Sequence, residues 1–270
     1  MSDSAPLVEY HGNCHCGAFK FTFKAREITQ AKTCDCAICS KNGYIWGQPD
    51  GDSFTVVKGD ENALVSYEFG KRALAHKFCS TCGSSVMVRW KIDSMGKAAL
   101  INIRTVQNLD STKLPLGDVF KGSTFGDAYQ PPAAVPTGPV PDGSTVYHGS
   151  CHCGAVAYTL HSPEEITSAT DCNCSICWRN AAVWAYPQTT QLTFRGVPDT
   201  VTEYAFSSHK AHHCFCKTCG VSVYTYFTDF ERMEGKTALN LRTVNGFDLG
   251  SLDLKKGNGR ELKPLYEVPA

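Results

Sequence analysis

Residues 34–43 read CDCAICSKNG, and residues 172–180 read CNCSICWRN. Each stretch places three cysteines within six residues. Three thiolates occupy three of the four positions around a tetrahedral zinc ion, and a zinc held by three protein ligands keeps its fourth position for water or substrate. The two stretches therefore predict metal sites at which chemistry can occur.

Four sequence blocks occur twice in the same order, at a separation of 137 or 138 residues. Besides the three-cysteine stretch, they are residues 10–18 (YHGNCHCGA) with 147–155 (YHGSCHCGA), 78–83 (FCSTCG) with 215–220 (FCKTCG), and 102–106 (NIRTV) with 240–244 (NLRTV). This pattern indicates a tandem duplication. Residues 128–143 lie between the copies and contain five prolines, which favour an extended linker. We therefore predict two domains, at 7–127 and 144–268.

The composition limits the class of protein. With 270 residues, 42% of them hydrophobic, the chain can bury a core in each copy. Its 26 Lys and Arg residues balance 26 Asp and Glu residues, and no apolar run reaches the roughly 18 residues of a membrane span. We therefore expect a small-molecule substrate, with neither nucleic acid nor membrane as a partner. Residues 1–6 lack the features of a signal peptide, so the fifteen cysteines indicate a reduced, cytoplasmic protein.

Short strands separated by turns are the expected secondary structure of each copy. Aromatic and β-branched residues in near alternation predict strands at 19–24, 55–58, 156–160 and 222–226. The three-cysteine stretch is the predicted helical turn, because Cys36 and Cys39 lie three residues apart and can share one face. The fold class is therefore mainly β.

The remaining paired cysteines suggest a second type of metal site. Cys14 and Cys16 are two residues apart, so both side chains would emerge on the same face of an extended strand. Cys79 and Cys82 form a Cys-x-x-Cys turn, a usual half-site of structural zinc. These two pairs could complete a Cys₄ shell. Spacing alone leaves open an alternative shell, composed of Cys14, Cys16, Cys34 and Cys36.

The ordered motifs carry a family resemblance. Gly-x-Cys-x-Cys-Gly, Cys-x-Cys-x-x-Cys, Phe-Cys-x-x-Cys-Gly and Asn-x-Arg-Thr occur in this order in both copies, and the chain thereby resembles the glutathione-dependent formaldehyde-activating enzyme family, which includes centromere protein V. The resemblance implies several small coiled antiparallel β-sheets in each copy, with zinc-binding cysteine turns. The structural zinc ligands it implies are Cys14, Cys16, Cys79 and Cys82 in one copy, and Cys151, Cys153, Cys216 and Cys219 in the other. The catalytic zinc ligands it implies are Cys34, Cys36 and Cys39, and Cys172, Cys174 and Cys177.

The family's activity joins formaldehyde to glutathione, which is a carbon–sulfur lyase reaction run in reverse. The resemblance therefore implies a zinc-dependent lyase-type enzyme that acts on the adduct of a glutathione-like thiol with a small carbonyl or other electrophile. It implies two zinc ions per domain, one structural and one that could be labile, with glutathione as a cosubstrate. A thiol of pKa roughly 8.5 binds zinc as the thiolate, so it would be deprotonated at neutral pH and could attack a carbonyl. The alternative is a non-catalytic, zinc-stabilised binding module.

Charged and imidazole side chains beside the cysteines are further candidates. Lys41 and Arg179 follow the three-cysteine stretches at equivalent positions, where a cation could bind a carboxylate of a glutathione-like ligand. A solvated surface charge is the alternative. His76 and His213 precede the Cys-x-x-Cys turns. Each could act as a proton shuttle or as a hydrogen-bond donor to a thiolate. A packed or surface imidazole is the alternative for both.

Three other side chains have two interpretations each. Cys214 has no counterpart in the first copy, and it is either an idle thiol or a fourth ligand for the second three-cysteine stretch. Trp46 and Trp184 occupy equivalent positions. We expect both in the core, with an aromatic wall beside the metal as the alternative.

Overall fold

The structure is a computed structural model that describes residues 6–92 and 98–270. Residues 1–5, which belong to the stretch without signal-peptide features, lie outside the described residues. The chain divides into two compact units: Met1–Ala128 with Glu267–Ala270 forms the first unit, and Tyr129–Tyr266 forms the second. Within 6–92 and 98–270, no helix is both long enough and apolar enough to cross a membrane.

The described part of each unit consists of ten short strands and one short α-helix. The first unit contains β1 (Leu7–Asn13), β2 (Lys20–Arg26), β3 (Ala31–Cys34), α1 (Ala37–Asn42), β4 (Trp46–Gly47), β5 (Thr55–Lys58), β6 (Val65–Tyr67), β7 (Leu74–Phe78), β8 (Ser85–Trp90), β9 (Ala99–Asn102) and β10 (Leu116–Phe120). The second contains β11 (Thr145–Ser150), β12 (Ala157–Ser162), β13 (Ser168–Cys172), α2 (Ser175–Arg179), β14 (Val183–Ala185), β15 (Leu192–Arg195), β16 (Val201–Tyr204), β17 (Ala211–Cys216), β18 (Ser222–Phe227), β19 (Ala238–Asn240) and β20 (Asp253–Gly257). The predicted strands are confirmed as β2, β5, β12 and β18.

Each unit has the same sheet topology in its described residues. A three-stranded sheet has the order β1-β2-β5 in the first unit and β11-β12-β15 in the second. A seven-stranded sheet has the order β10-β3-β4-β9-β8-β7-β6 in the first unit and β20-β13-β14-β19-β18-β17-β16 in the second. The mainly β fold in two copies is thereby confirmed. The pairings are antiparallel except at one edge, where β10 is parallel to β3 and β20 is parallel to β13.

The alternation of side chains explains how β2 builds the core of the first unit. Phe21, Phe23 and Ala25 are buried, and the residues between them are less buried or exposed. The Phe23 ring stacks on Tyr10 of β1 with centroids 5.2 Å apart, and the Phe21 ring stacks on Phe54 at 5.4 Å. Burying one such aromatic side chain contributes about 1.5–3 kcal/mol, so this face fixes the register of the small sheet.

The predicted helical turn is also confirmed. In the first unit Cys36 is the extended N-cap of α1, and Gly43 ends the helix in the left-handed conformation with φ +52°. In the second unit Cys174 is the N-cap of α2, and Ala181 has φ +50° just after the helix. In both units the middle cysteine of the three-cysteine stretch is therefore the N-cap, and the helix begins at the next residue.

Candidate metal centres

Two groups of four cysteines lie in turns between strands or, for Cys216, at the end of a strand. In the first unit, the sulfurs of Cys14, Cys16, Cys79 and Cys82 all lie within 4.8 Å of one another, and this set is the first four-cysteine group. The second four-cysteine group consists of Cys151, Cys153, Cys216 and Cys219. The Cys16 sulfur lies 3.6 Å from those of Cys14 and Cys79, and the Cys153 sulfur lies 3.5 Å and 3.6 Å from those of Cys151 and Cys216. All fifteen cysteines are free thiols, so these contacts are not disulfides.

The turn geometry differs from one expectation. Cys14 and Cys16 do not lie on an extended strand, because β1 ends at Asn13 and the chain turns at once. The Gly17 N–H donates to the Cys14 carbonyl at 3.0 Å, and the Phe19 N–H donates to the Cys14 sulfur at 3.3 Å. The two sulfurs therefore converge because the backbone turns between them. Hydrogen bonds with Cys16, Cys79 and Cys82 raise the pKa of Cys14, so without a cation this thiol stays protonated at neutral pH.

Two groups of three cysteines lie where a strand passes into a helix. The first three-cysteine group consists of Cys34 at the end of β3, Cys36 at the N-cap of α1 and Cys39 within α1. The second three-cysteine group consists of Cys172, Cys174 and Cys177, placed in the same way on β13 and α2. The alternative shell of Cys14, Cys16, Cys34 and Cys36 is not among the four groups found in the described residues.

The thiol pKa values show that negative charge is crowded in the three-cysteine groups. The pKa of Cys34 is lowered to about 2, first by hydrogen bonds with Cys36 and Cys39 and further by backbone N–H groups, including that of Gly122. Hydrogen bonding to Cys34 raises the pKa of Cys36 to about 11 and raises that of Cys39 even more. The same directions hold for Cys172, Cys174 and Cys177. One thiol ionises at the expense of its neighbours, so a cation is needed to deprotonate all three at neutral pH.

A glycine turn covers each three-cysteine group. A Cβ atom added to Gly122 would lie 2.4 Å from the Cys34 sulfur and 3.3 Å from the Cys36 Cβ. A Cβ added to Gly259 would lie 2.9 Å from the Cys172 sulfur. Both glycines begin a 3₁₀ turn just after the parallel edge strand. Only glycine allows the backbone to approach the sulfur this closely, so that its N–H can stabilise the thiolate.

A tryptophan side chain borders the second three-cysteine group. In the second unit the Trp184 indole N–H donates to the Cys177 sulfur at 3.1 Å, while Trp184 itself is buried. Trp184 is therefore both a core residue and an aromatic side chain beside the candidate metal site. In the first unit Trp46 is only half-buried, and its ring is tilted at 34° to that of Tyr44 with centroids 4.3 Å apart. The equivalent of Tyr44 is Ala182 in the second unit, so the two units differ in aromatic bulk at this position.

Both candidate histidines are buried among aromatic rings. His76 stacks on Tyr44 and lies 5.6 Å from the centroid of Phe69. His213 stacks on Phe206, and its Nδ1 lies 3.0 Å from the Thr225 hydroxyl. Burial lowers the pKa of His213 to about 4, although the charge of Cys172 acts in the opposite direction. His213 is therefore a neutral imidazole at pH 7, within the electrostatic range of the second three-cysteine group.

The cations beside the cysteines are not surface charges. Lys41 and Arg179 are only 6% and 7% exposed. One guanidinium nitrogen of Arg179 donates to the Ser175 carbonyl at 2.9 Å, and the guanidinium carbon lies 5.1 Å from the centroid of Tyr266. The alternative of a solvated charge is therefore wrong for both residues. Their contact with a ligand carboxylate stays a prediction.

The Asn-x-Arg-Thr motifs hold the loop that follows each helix. Arg104 donates from Nε to the Gly43 carbonyl at 2.6 Å, and Arg242 donates in the same way to Ala181 at 2.6 Å. Each arginine thereby fixes the loop that leads from a three-cysteine group to its tryptophan.

Cys214 lies outside all four cysteine groups of the described residues. It is buried, and its sulfur lies 3.6 Å from the His212 carbonyl. Desolvation raises its pKa to about 12, so it is a neutral thiol at pH 7. The structure thus favours the interpretation as a buried thiol over that as a fourth ligand.

Sequence reasoning overlooked two contributors to the three-cysteine groups. The first is the glycine turn at Gly122 and Gly259, and the second is the indole N–H of Trp184. A signal for the first was present, because the glycine recurs at the same separation as the cysteine blocks. The indole contact had no comparable signal, since the donor and the sulfur meet only through packing.

Comparison with known proteins shows one family in both copies. Residues 9–122 and 146–267 each match the model of the family described as "Glutathione-dependent formaldehyde-activating enzyme". The solved structure of a protein from Rhodobacter sphaeroides is also similar, with 28% sequence identity and a TM-score of 0.35. That match covers 40% of the present chain and 99% of the Rhodobacter chain.

Proposed function

Because the chain belongs to the glutathione-dependent formaldehyde-activating enzyme family, of which it carries two copies, we propose that it is a zinc-dependent carbon–sulfur lyase-type enzyme. Its substrate would be the adduct of a glutathione-like thiol with a small carbonyl compound or another electrophile. The observation that carries this proposal is the incomplete ligand shell of three sulfurs, repeated in the two units. We expect the activity in the cytoplasm, where thiols stay reduced.

The donor sets fit zinc. With a zinc–sulfur distance of about 2.3 Å, sulfurs at the corners of a tetrahedron are about 3.8 Å apart. In each four-cysteine group two pairs of sulfurs are 3.5–3.6 Å apart, close to that spacing. We assign these groups to structural zinc, which needs four protein ligands. The three-cysteine groups would hold zinc with one position left for a substrate thiol.

The reaction needs no oxidant or reductant. The thiol sulfur adds to the carbonyl carbon, a carbon–sulfur bond forms as the carbonyl π bond breaks, and the thiol proton ends on the oxygen. Zinc bound at the three cysteines would hold the thiol as a thiolate and would accept the same thiolate when the reverse reaction breaks the bond. The backbone N–H groups of Gly122 and Gly259 bond to Cys34 and Cys172, which keeps the first ligand sulfur of each group in place.

The buried side chains around each group suggest how the substrate is held. His213 is neutral at pH 7, and its pKa of about 4 makes it a weak base, so we assign it a hydrogen-bonding role beside the second three-cysteine group rather than proton transfer. His76 occupies the equivalent position in the first unit. Lys41 and Arg179 lie within the helices that carry the cysteines, and we assign to them the carboxylates of a glutathione-like thiol.

A double substitution tests the proposal. Cys36→Ser combined with Cys174→Ser removes one sulfur from each three-cysteine group and should abolish turnover of the formaldehyde–glutathione adduct, as followed by NMR. Cys214→Ser is the matched control, because it removes a buried thiol outside the four groups and should leave turnover unchanged. The double variant should keep its circular dichroism spectrum and lose about two metal ions per chain. Undiminished turnover in a folded double variant would refute the proposal.

A further inference from the structure

The edges of the two three-cysteine groups differ in chemistry. In the first unit, Phe120 of β10 is paired in register with Cys34 of β3, so both residues belong to the same face of the parallel edge. A Cβ atom added to Gly122 would lie 2.4 Å from the Cys34 sulfur and 3.6 Å from the nearest atom of the Phe120 ring, so the sulfur and the ring are on either side of the same glycine. An aromatic ring therefore borders the cysteine group directly.

A second ring extends this border. Phe125 stacks on Phe120 with centroids 5.5 Å apart and an interplanar angle of 10°. Phe120 is 61% exposed and Phe125 is 72% exposed, so much of the surface of this pair is open to solvent. We call Phe120 and Phe125 the phenylalanine pair. Two stacked rings beside an incomplete metal shell form a flat apolar platform on which a substrate ring can stack.

Hydrogen bonds hold the phenylalanine pair in position before any ligand binds. The Asp35 N–H donates to the Phe120 carbonyl at 3.1 Å, and the Asp35 carboxylate accepts the Ser123 N–H at 2.8 Å. Lys121 forms an ion pair with the same carboxylate at 3.6 Å. Asp35 lies between two of the cysteines, so the turn that carries the pair is tied to the group itself.

The second unit lacks the phenylalanine pair at its parallel edge, and Trp184, which contacts its Cys177, is buried and offers no exposed ring face. Gly257 is the residue paired with Cys172, and Leu262 stands at the position equivalent to Phe125. The polar residue between the cysteines is Asn173, whose backbone carbonyl accepts Arg260 Nε at 3.1 Å and whose side chain accepts the Arg260 N–H at 3.0 Å. A glycine and an arginine therefore replace a phenylalanine and a serine at the edge of the second three-cysteine group.

We infer that the first three-cysteine group acts on thiol adducts whose electrophile carries an aromatic or other flat apolar group, and that the second has no such preference. This inference rests on the proposed function, because it assigns the electrophile's substituent to the phenylalanine pair. The two three-cysteine groups of one chain would then catalyse the same type of reaction on different substrates. Formaldehyde, which carries no substituent, would be handled equally by both.

The test measures binding of two unreactive adduct mimics by calorimetry. S-benzylglutathione carries a ring where the electrophile would be, and S-methylglutathione does not. The full-length Cys174→Ser variant isolates the first three-cysteine group, and there we expect about tenfold tighter binding of the benzyl compound, equivalent to about 1.4 kcal/mol. The full-length Cys36→Ser variant isolates the second group, where we expect the two affinities to agree within about twofold.

Exchange of the edge residues between the units is the matched control. Phe120→Gly with Phe125→Leu gives the first unit the residues of the second, and should remove the benzyl preference while the affinity for S-methylglutathione stays the same. Gly257→Phe with Leu262→Phe should create the preference in the second unit. Phe125→Leu alone keeps the edge backbone unchanged and should reduce the preference in part, which separates loss of the platform from misfolding.

The possible results separate the two proposals. Suppose that both compounds bind the protein and that neither binds the double cysteine variant. If the benzyl preference then survives the exchange of edge residues, the inference is wrong while the proposed function stands. If neither compound binds, or if both still bind the double cysteine variant, the proposed function fails and the inference with it. If the exchange changes the oligomeric state in sedimentation velocity but not the preference, the phenylalanine pair is a contact between copies and the inference is wrong.

Discussion

The glycine turn over the first three-cysteine group makes a sharp prediction about metal binding. Gly122→Ala adds one methyl group at a point 2.4 Å from the Cys34 sulfur. A carbon atom normally stays about 3.5–4.0 Å from a non-bonded neighbour. The new methyl group would therefore overlap the sulfur by more than 1 Å, and either the turn or the Cys34 side chain must move.

Two costs determine the size of the effect. Overpacking of this kind costs about 1–3 kcal/mol. Movement of the turn also weakens the bond from the Gly122 N–H to the Cys34 thiolate, and a hydrogen bond to a charged group contributes about 1.5–3 kcal/mol. Together these costs reach about 2.5–6 kcal/mol, of which part relaxes and part acts on folding rather than on the metal. A loss of about 1.5–3 kcal/mol in metal binding corresponds to roughly 10–150-fold weaker affinity at this group.

The assay is a competition between the protein and a coloured zinc chelator. Gly122→Ala should make one metal ion per chain easier to remove, and Gly259→Ala should do the same for the second three-cysteine group. Gly138→Ala is the control, because nothing lies within 4 Å of the added Cβ. A Gly122→Ala chain that keeps the metal affinity of the control would refute the idea that the close backbone approach stabilises the site.

Three further predictions concern the cysteine groups and the loops beside them. Gly43→Ala should lower the free energy of unfolding of the first unit by about 1 kcal/mol, because Gly43 has φ +52°, whereas Ala181→Gly should stabilise the second unit, where Ala181 has φ +50°; calorimetric midpoints that shift in the opposite directions would contradict this. Trp184→Phe keeps an aromatic ring but loses the N–H bond to Cys177, so chelator titration should show roughly tenfold weaker metal binding in the second three-cysteine group. If the four cysteine groups hold zinc as proposed, a moderate concentration of chelator should remove about two of the four ions per chain, since shells of three sulfurs are incomplete; release of all four together would argue against two kinds of site.

Much of the local architecture followed from the sequence because metal-ligand spacing is a short-range property. Cys36 and Cys39 lie three residues apart, and the structure places them on the predicted helical turn. The alternation in residues 19–24 was sufficient to predict β2, because side chains on a strand point alternately to opposite faces. The repeated blocks predicted two copies of one fold without any knowledge of contacts.

The sequence was less informative where two interpretations depended on burial. Lys41 and Arg179 have the same spacing from their cysteines whether they point into solvent or into the unit, and only packing excludes the surface alternative. The convergence of Cys14 and Cys16 was expected on a strand, but a hydrogen-bonded turn produces it. Similar spacing can arise from either backbone conformation, so the pattern alone could not distinguish them.

Duplication, the mainly β character and the presence of cysteine pairs and triplets are properties that the amino-acid order determined by itself, because they depend on neighbours along the chain. The grouping of the pairs was decided only in three dimensions: Cys16 meets Cys79 across 63 residues because β1 and the β7–β8 hairpin bring their turns together. Likewise Gly122 reaches Cys34 because β10 pairs in parallel with β3. Contacts of this kind depend on strand order and register, which no short stretch of sequence encodes.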